Sequence, residues 1–216
     1  MTDASELKIK IFADSADVAE MTVLYGNSSI KGFTTNPTLM HKSGVRDYKA
    51  FAADVVAAIP DRPISFEVFS DNFDDMEREA LTITGWGENL YVKIPITNTA
   101  GESAAPLLRR LGAQGVKLNV TAAFTADQVD HAVAALGETP SGFISLFAGR
   151  IADSGRDPCP VVKDALQIME PHPHLELIWA SPREIFNVVQ ANAIGCHVIT
   201  LTGDLLKKLP LLGKDL

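Results

Sequence analysis

Apolar and polar positions along the chain follow two alternating rhythms. Short apolar runs rich in β-branched residues occupy positions 8–13, 30–34, 64–69, 90–95, 116–120, 142–147, 175–180 and 197–201. Between them lie longer stretches at 16–25, 47–59, 73–84, 103–111, 126–136, 160–169 and 184–194. Their apolar residues return every three or four positions, as Val129, Val133 and Leu136 do. The first rhythm predicts strands and the second amphipathic helices. Strict alternation of the two builds right-handed βαβ units on a parallel sheet.

Eight such strands within 216 residues fit an α/β chain of the compact (β/α)8 TIM-barrel type, parallel and eight-stranded, near the lower end of that fold's size range. An open doubly wound sheet competes, and the strand count alone does not exclude it. Its dinucleotide-binding version is weak, because no G-x-G-x-x-G follows the first strand. No repeat, low-complexity segment or linker interrupts the pattern, so one barrel domain over 1–216 is expected.

Composition narrows the partners. Hydrophobic residues make up 46% and charged residues 21%, a globular balance. The formal net charge of −8 disfavours nucleic acid and an anionic membrane surface as partners. A small phosphorylated ligand stays compatible, since a local pocket of arginines and backbone N–H groups acts against the global charge. Cys159 and Cys196 give neither a disulfide framework nor metal-ligand spacing and read as reduced thiols. The opening MTDASELKIKIF lacks the apolar core of a signal peptide, and no apolar run approaches the ~18 residues of a membrane span. A cytoplasmic protein is expected.

Barrel chemistry sits at the C-terminal ends of the strands, which directs attention to a few residues. Lys93 lies inside the apolar run Tyr-Val-Lys-Ile-Pro. Burial disfavours a charged amine, and a neutral amine attacks a carbonyl to give an electron-withdrawing iminium. The rival is a lysine whose head snorkels out at the strand end. Asp14 closes the first strand, where a carboxylate can take up a substrate hydroxyl proton; taken alone it reads more readily as a cap for the helix starting near Ala16, although Ser15 or Asp17 could do that. Glu67, in Ile-Ser-Phe-Glu-Val-Phe, is a charge in mid-strand and costly unless paired or protonated. It either positions water with Thr121 or forms a structural ion pair, with Lys93 or another base. Thr34, Thr35 and Asn36 precede Pro37, an Asn-Pro turn that is common on its own. Gly149-Arg150 and Ser181-Pro182-Arg183 suggest an anion site, with Pro182 in the first turn of a helix and Ser181 as its N-cap. Surface arginines with ordinary partners are the alternative.

Taken together these segments resemble one family. Phe12-Ala-Asp14-Ser15, Thr34-Thr-Asn36-Pro-Thr-Leu39, Ser65-Phe-Glu67-Val68, Val92-Lys93-Ile-Pro95, Asn119-Val-Thr121, Ser145-Leu-Phe147-Ala-Gly149-Arg150 and Ala180-Ser181-Pro-Arg183 stand in order along nearly the whole chain. The chain is similar to the transaldolase family, specifically the small single-barrel group that includes fructose-6-phosphate aldolases, with its class I aldolase type of barrel. The resemblance implies Lys93 as the Schiff-base lysine, Asp14 as acid and base, and Glu67 with Thr121 around a catalytic water. Thr34 joins the substrate-binding set. Asn36 and Asn119 would hold substrate hydroxyls or the lysine, Ser145 the dihydroxyacetone portion, and Arg150, Ser181 and Arg183 the phosphate. It implies no metal and no organic cofactor, sugar phosphates as partners, a place in carbohydrate metabolism such as the pentose phosphate pathway, and a homo-oligomer, with a ring built from pentamers as one form.

Glu67 and Phe147 resemble the transaldolase branch, whereas the aldolase branch tends to carry Gln and Tyr there. A Tyr hydroxyl could help protonate the enamine and release dihydroxyacetone; Phe147 cannot. The expected activity is transfer of a dihydroxyacetone unit, from fructose 6-phosphate-like or sedoheptulose 7-phosphate-like donors, to an aldose phosphate. A lyase releasing free dihydroxyacetone is the alternative. Pro182, Ala122-Ala123 and Trp179 depart from the family's pattern near the mouth, which keeps a modified sugar donor open. A noncatalytic sugar-phosphate-binding barrel is a further alternative.

Overall fold

The computed structural model describes residues 7–137 and 139–215. Residues 1–6, Glu138 and Leu216, which the expected single domain includes, lie outside the described residues. Strands β1 (Lys10–Asp14), β2 (Ile30–Thr34), β3 (Ile64–Glu67), β4 (Leu90–Pro95), β5 (Leu118–Ala123), β6 (Gly142–Leu146), β7 (Leu175–Trp179) and β8 (Val198–Thr202) pair in chain order and close into a barrel. Closure is the parallel β1–β8 ladder running from Lys10↔Val198 to Asp14↔Thr202, which an open doubly wound sheet would lack. The (β/α)8 barrel is therefore the fold.

The helices are α1 (Val18–Tyr25), α2 (Pro37–Lys42), α3 (Tyr48–Ala58), α4 (Phe73–Thr84), α5 (Ala105–Ala113), α6 (Ala126–Leu136), α7 (Ala148–Asp153), α8 (Cys159–Met169), α9 (Phe186–Ala193) and α10 (Gly203–Leu206). Several begin on side-chain caps: Asp17 accepts from Glu20 N, Asp47 from Ala50 N, and Thr125 forms a capping box with Gln128. The six-residue α2 and α7 and the four-residue α10 are too short to show a helical period, so the sequence pattern misses them. No helix among the described residues is long and apolar enough to cross a membrane.

One expectation fails. Helix α9 starts at Phe186, and neither does Ser181 cap it nor does Pro182 occupy its first turn. Ser181 instead adopts a left-handed backbone at φ 60°. The backbone N–H groups of Arg183 and Glu184 both donate to Asn187 Oδ1, at 2.8 and 3.2 Å, so a side chain within the helix ties down the segment before it.

Strand parity determines what faces inward. The lower interior is an apolar plug of Phe12, Phe143, Ile178 and Val198, with Tyr91 packed against it. A Cβ at Gly32 would fall 2.6 Å from the Phe12 ring, so the glycine on β2 makes room for that plug. Two residues further along the same strands come Asp14, Thr34, Lys93, Ser145 and Thr200. Outward residues such as Ile11, Phe33, Ile64, Phe66, Val92, Ile94 and Leu118 join the main core.

Candidate active site

Above the apolar plug, at the C-terminal ends of the strands, lies a cavity of about 470 Å³. That is a normal size for a small-molecule site. The residues expected at the mouth line it except Thr35 and Asn119.

The register of β3 and β4 sets Glu67 beside Lys93, and both side chains turn inward. Lys93 Nζ lies 2.9 Å from Glu67 Oε2, with side-chain exposures of 9% and 16%. It also donates to the Thr35 carbonyl at 3.2 Å. The lysine head thus stays inside the barrel and does not snorkel. The ion pair foreseen as the alternative for Glu67 is real, and it borders the cavity rather than a sealed core.

Asp14 is not a helix cap; Asp17 holds that role for α1. Asp14 Oδ1 accepts from Thr34 Oγ1 at 2.7 Å and Oδ2 from Asn36 Nδ2 at 3.3 Å. Part of its surface opens to the cavity, yet protein rings it on the remaining sides. Burial pushes its carboxyl above the usual range, opposed by Lys93 and by the hydrogen bond from Thr34, while the charge of Glu67 adds to the push. Such a carboxyl is suited to both taking up and returning a proton.

Asn36 both caps a helix and contacts Asp14. Its Oδ1 caps α2 by accepting from Leu39 N at 2.9 Å, with Pro37 in the first turn. Capping fixes the amide orientation and leaves Nδ2 aimed at Asp14. Thr121, paired with Pro95 across the β4–β5 seam, has a buried hydroxyl with no protein partner among the described residues. An unpartnered buried hydroxyl costs free energy unless water or a ligand satisfies it. The next residue, Ala122, sits at φ 58° within an irregular stretch of the β5–β6 ladder. Ala122 and Ser181 are the non-glycine residues with positive φ among those described, and both line the cavity. Backbone strain of this kind concentrates where surrounding structure must hold a functional geometry.

Asn119 is fully buried below the cavity floor. Its Nδ2 donates to Ser65 Oγ at 2.9 Å, and its Oδ1 accepts from Ser145 Oγ at 2.8 Å. With both ends of the amide engaged, Asn119 orients the Ser145 hydroxyl and does not itself reach the cavity.

The opposite rim carries positive charge. The Arg150 guanidinium lies over the Phe147 ring at 5.2 Å. Arg183 grips Asp153 through Nε at 2.9 Å and Nη2 at 2.6 Å. The hydrogen bond from Arg183, more than the charges of Arg183 and Arg150, holds the Asp153 carboxyl below its usual range. Arg183 thus reaches the cavity partly neutralised, leaving Nη1 free of Asp153.

Sequence reasoning overlooked Ser65, Asp153, Thr200 and Thr202. Parity was the available signal for three of them: Ser65 shares its strand face with Glu67, and Thr200 and Thr202 continue the inward face of β8. Nothing local marks Asp153, which meets Arg183 across a separation of 30 residues. Among the described residues no group of three or more His, Cys, Asp or Glu is arranged to hold a metal ion.

Comparison with known proteins identifies the family. A sequence model of the family described as Transaldolase/Fructose-6-phosphate aldolase matches residues 11–215. A probable transaldolase 2 of Listeria monocytogenes is 35% identical over 202 residues, covering 93% of this chain and 88% of the relative. A probable transaldolase of Streptococcus agalactiae is 36% identical over 194 residues, covering 89% and 86%. One from Dehalococcoides mccartyi is 31% identical over 195 residues, with the same coverage. The chain belongs to the transaldolase/fructose-6-phosphate aldolase family, which makes it an enzyme of the class that moves aldehyde or ketone residues.

Proposed function

We propose that the protein is a transaldolase that carries a dihydroxyacetone unit on Lys93 from a ketose phosphate to an aldose phosphate. The observation that carries this reading is the Lys93–Glu67 pair at 2.9 Å, bordering a cavity that also holds Asp14. Glu67 takes a proton from the Lys93 ammonium, and the neutral Nζ attacks C2 of the ketose. Loss of water from the carbinolamine gives the iminium, with the Thr121 hydroxyl and Glu67 flanking that water.

Asp14 then takes the proton of the C4 hydroxyl. The C3–C4 bond breaks, its electron pair moves into the iminium to form the enamine, and the aldose phosphate leaves. A second aldose phosphate enters, C3 of the enamine attacks its carbonyl carbon, and Asp14 returns the proton to the new hydroxyl. Water releases the ketose and regenerates the amine. The iminium sink, positioning and placed proton transfer supply the catalysis.

Thr34 and Asn36 orient Asp14, and Asn36 also faces the substrate hydroxyls. Ser145 meets the dihydroxyacetone portion, while Arg150, Ser181 and Arg183 bind the phosphate. Phe147 favours transfer, because it brings no hydroxyl to protonate the enamine. We read residues 1–216 as one cytoplasmic unit that assembles as a homo-oligomer. Leu211, 56% exposed near the C-terminus, supports packing against another copy.

The test is to incubate the protein with fructose 6-phosphate, with and without erythrose 4-phosphate, and to follow glyceraldehyde 3-phosphate. Release that requires the acceptor is expected. Equal release without the acceptor, accompanied by free dihydroxyacetone, would move the reading to an aldolase.

A further inference from the structure

We propose that Thr200 is a positioning residue of this site: its hydroxyl, acting through Thr34, holds Asp14 in the orientation that proton abstraction needs. The inference rests on the reading of Asp14 as the base. Thr200 lies on β8 opposite Phe12, and Asp14 lies opposite Thr34 on one side and Thr202 on the other. Thr34 and Thr200 therefore approach Asp14 from the strands flanking β1.

Thr34 Oγ1 is 2.7 Å from Asp14 Oδ1 and 2.6 Å from Thr200 Oγ1. Each hydroxyl owns one proton, and an ionised carboxylate only accepts. Thr34 must then give its proton to Asp14, which leaves Thr200 as the donor in the contact between the hydroxyls. The direction of both bonds follows: Thr200 to Thr34 to Asp14. A donor behind a donor polarises it and strengthens the bond in front. Both threonines are buried, at 2% and 6% exposure, with an edge on the cavity.

Packing alone gives no reason for a hydroxyl at position 200. The same face of β8 carries Val198 in the apolar plug, and valine matches threonine in shape. Burying a hydroxyl costs free energy unless it is paired, and the pairing here ends on Asp14. The charged groups facing Asp14 are Lys93 from β4 and Glu67 from β3. The Asn36 contact, at 3.3 Å, is the longer of the hydrogen bonds to Asp14, so the threonine chain supplies the closer restraint.

Removing the rear donor weakens the hold on the carboxylate form, so Asp14 ionises at higher pH. Thr200→Val is expected to move the acidic limb of the kcat profile for donor cleavage upward by roughly 0.3–1 pH unit. At neutral pH kcat falls about 3- to 10-fold with KM held within about twofold. Thr200→Ser, which keeps the hydroxyl, restores the parent profile. A Thr200→Val profile superimposed on the parent, or a serine variant no better than valine, overturns the proposal. If the valine variant does not fold, Thr200→Ala against Thr200→Ser asks the same question with the same two outcomes. Asp14→Asn separates the premise from the inference. If it retains turnover with the acidic limb intact, Asp14 is not the base and the premise fails. If it loses turnover while Thr200→Val matches the parent, only the role of Thr200 fails.

Discussion

A methyl group added to Gly149 would overlap the carbonyl oxygen of Ser181. Gly149 N also donates to the Ala180 carbonyl at 3.3 Å, so the segments following β6 and β7 lie backbone to backbone. Arg150 follows one partner in that contact and Arg183 lies two residues beyond the other. The close approach fixes the spacing of the two backbone segments that carry these arginines, and only glycine permits it. Gly149→Ala is expected to cost at least about 2 kcal/mol, because the obstacle is backbone rather than a movable side chain. Thermal unfolding checks the loss, and weaker protection by inorganic phosphate checks the effect on the anion rim.

Lys93→Met is expected to abolish covalent trapping of a ketose phosphate by borohydride and to reduce turnover to background. The variant should still fold, since Glu67 borders the cavity and water can reach the carboxylate that loses its partner. Trapping retained at the parent level would remove Lys93 from the mechanism. Mass spectrometry of the reduced adduct reads the outcome directly.

The fold was legible because strand and helix rhythms alternate cleanly, and strand-end positions then pointed to the cavity. Lys93 and Glu67 stood out as charges inside apolar runs, and the register of β3 with β4 makes them neighbours. What remained hidden depends on contacts distant in sequence. Asn119 was expected to hold substrate hydroxyls or the lysine; its partners Ser65 and Ser145 come from other strands and place it below the cavity, beside Lys93 in the β4–β5 register. Ser181 before Pro182 has the composition of a helix start, yet the Asn187 side chain ties down the preceding backbone and α9 begins later. A local rule cannot weigh a partner that arrives from elsewhere in the fold.

Phe147→Tyr places a hydroxyl on a ring that already lines the cavity and packs edge-on against Phe124 at 5.5 Å. A donor there can protonate the enamine and free dihydroxyacetone. Release of aldose phosphate in the absence of an acceptor is expected to rise about 10-fold or more, the lower range of general-acid effects. If acceptor-free release stays at the parent rate, position 147 does not decide between transfer and cleavage. A coupled assay for glyceraldehyde 3-phosphate with no added aldose measures it.

At the far end of the barrel His197 Nδ1 accepts from the Leu177 backbone N–H at 2.9 Å, where β7 meets β8. That seam is short, with Ile178↔Val198 and Trp179↔Ile199 as its paired residues, so the imidazole extends the ladder by one bond. Burial lowers the His197 pKa below its usual value, and Lys10 acts in the same direction, whereas Glu176 opposes it. With the folded value below the unfolded value of about 6.5, the unfolded chain binds more protons between the two. The contribution of His197 to stability is therefore complete above about pH 6.5 and is lost as pH falls through the folded value. Asp14 works with the opposite sign, since its raised folded value lets the folded state bind the extra proton. The two are separated by His197→Asn, whose Oδ1 can accept the same N–H without titrating. The variant is expected to show a flatter dependence of Tm on pH between about 7 and 5 than the parent. Parallel curves for the two proteins would assign the acid sensitivity to other groups.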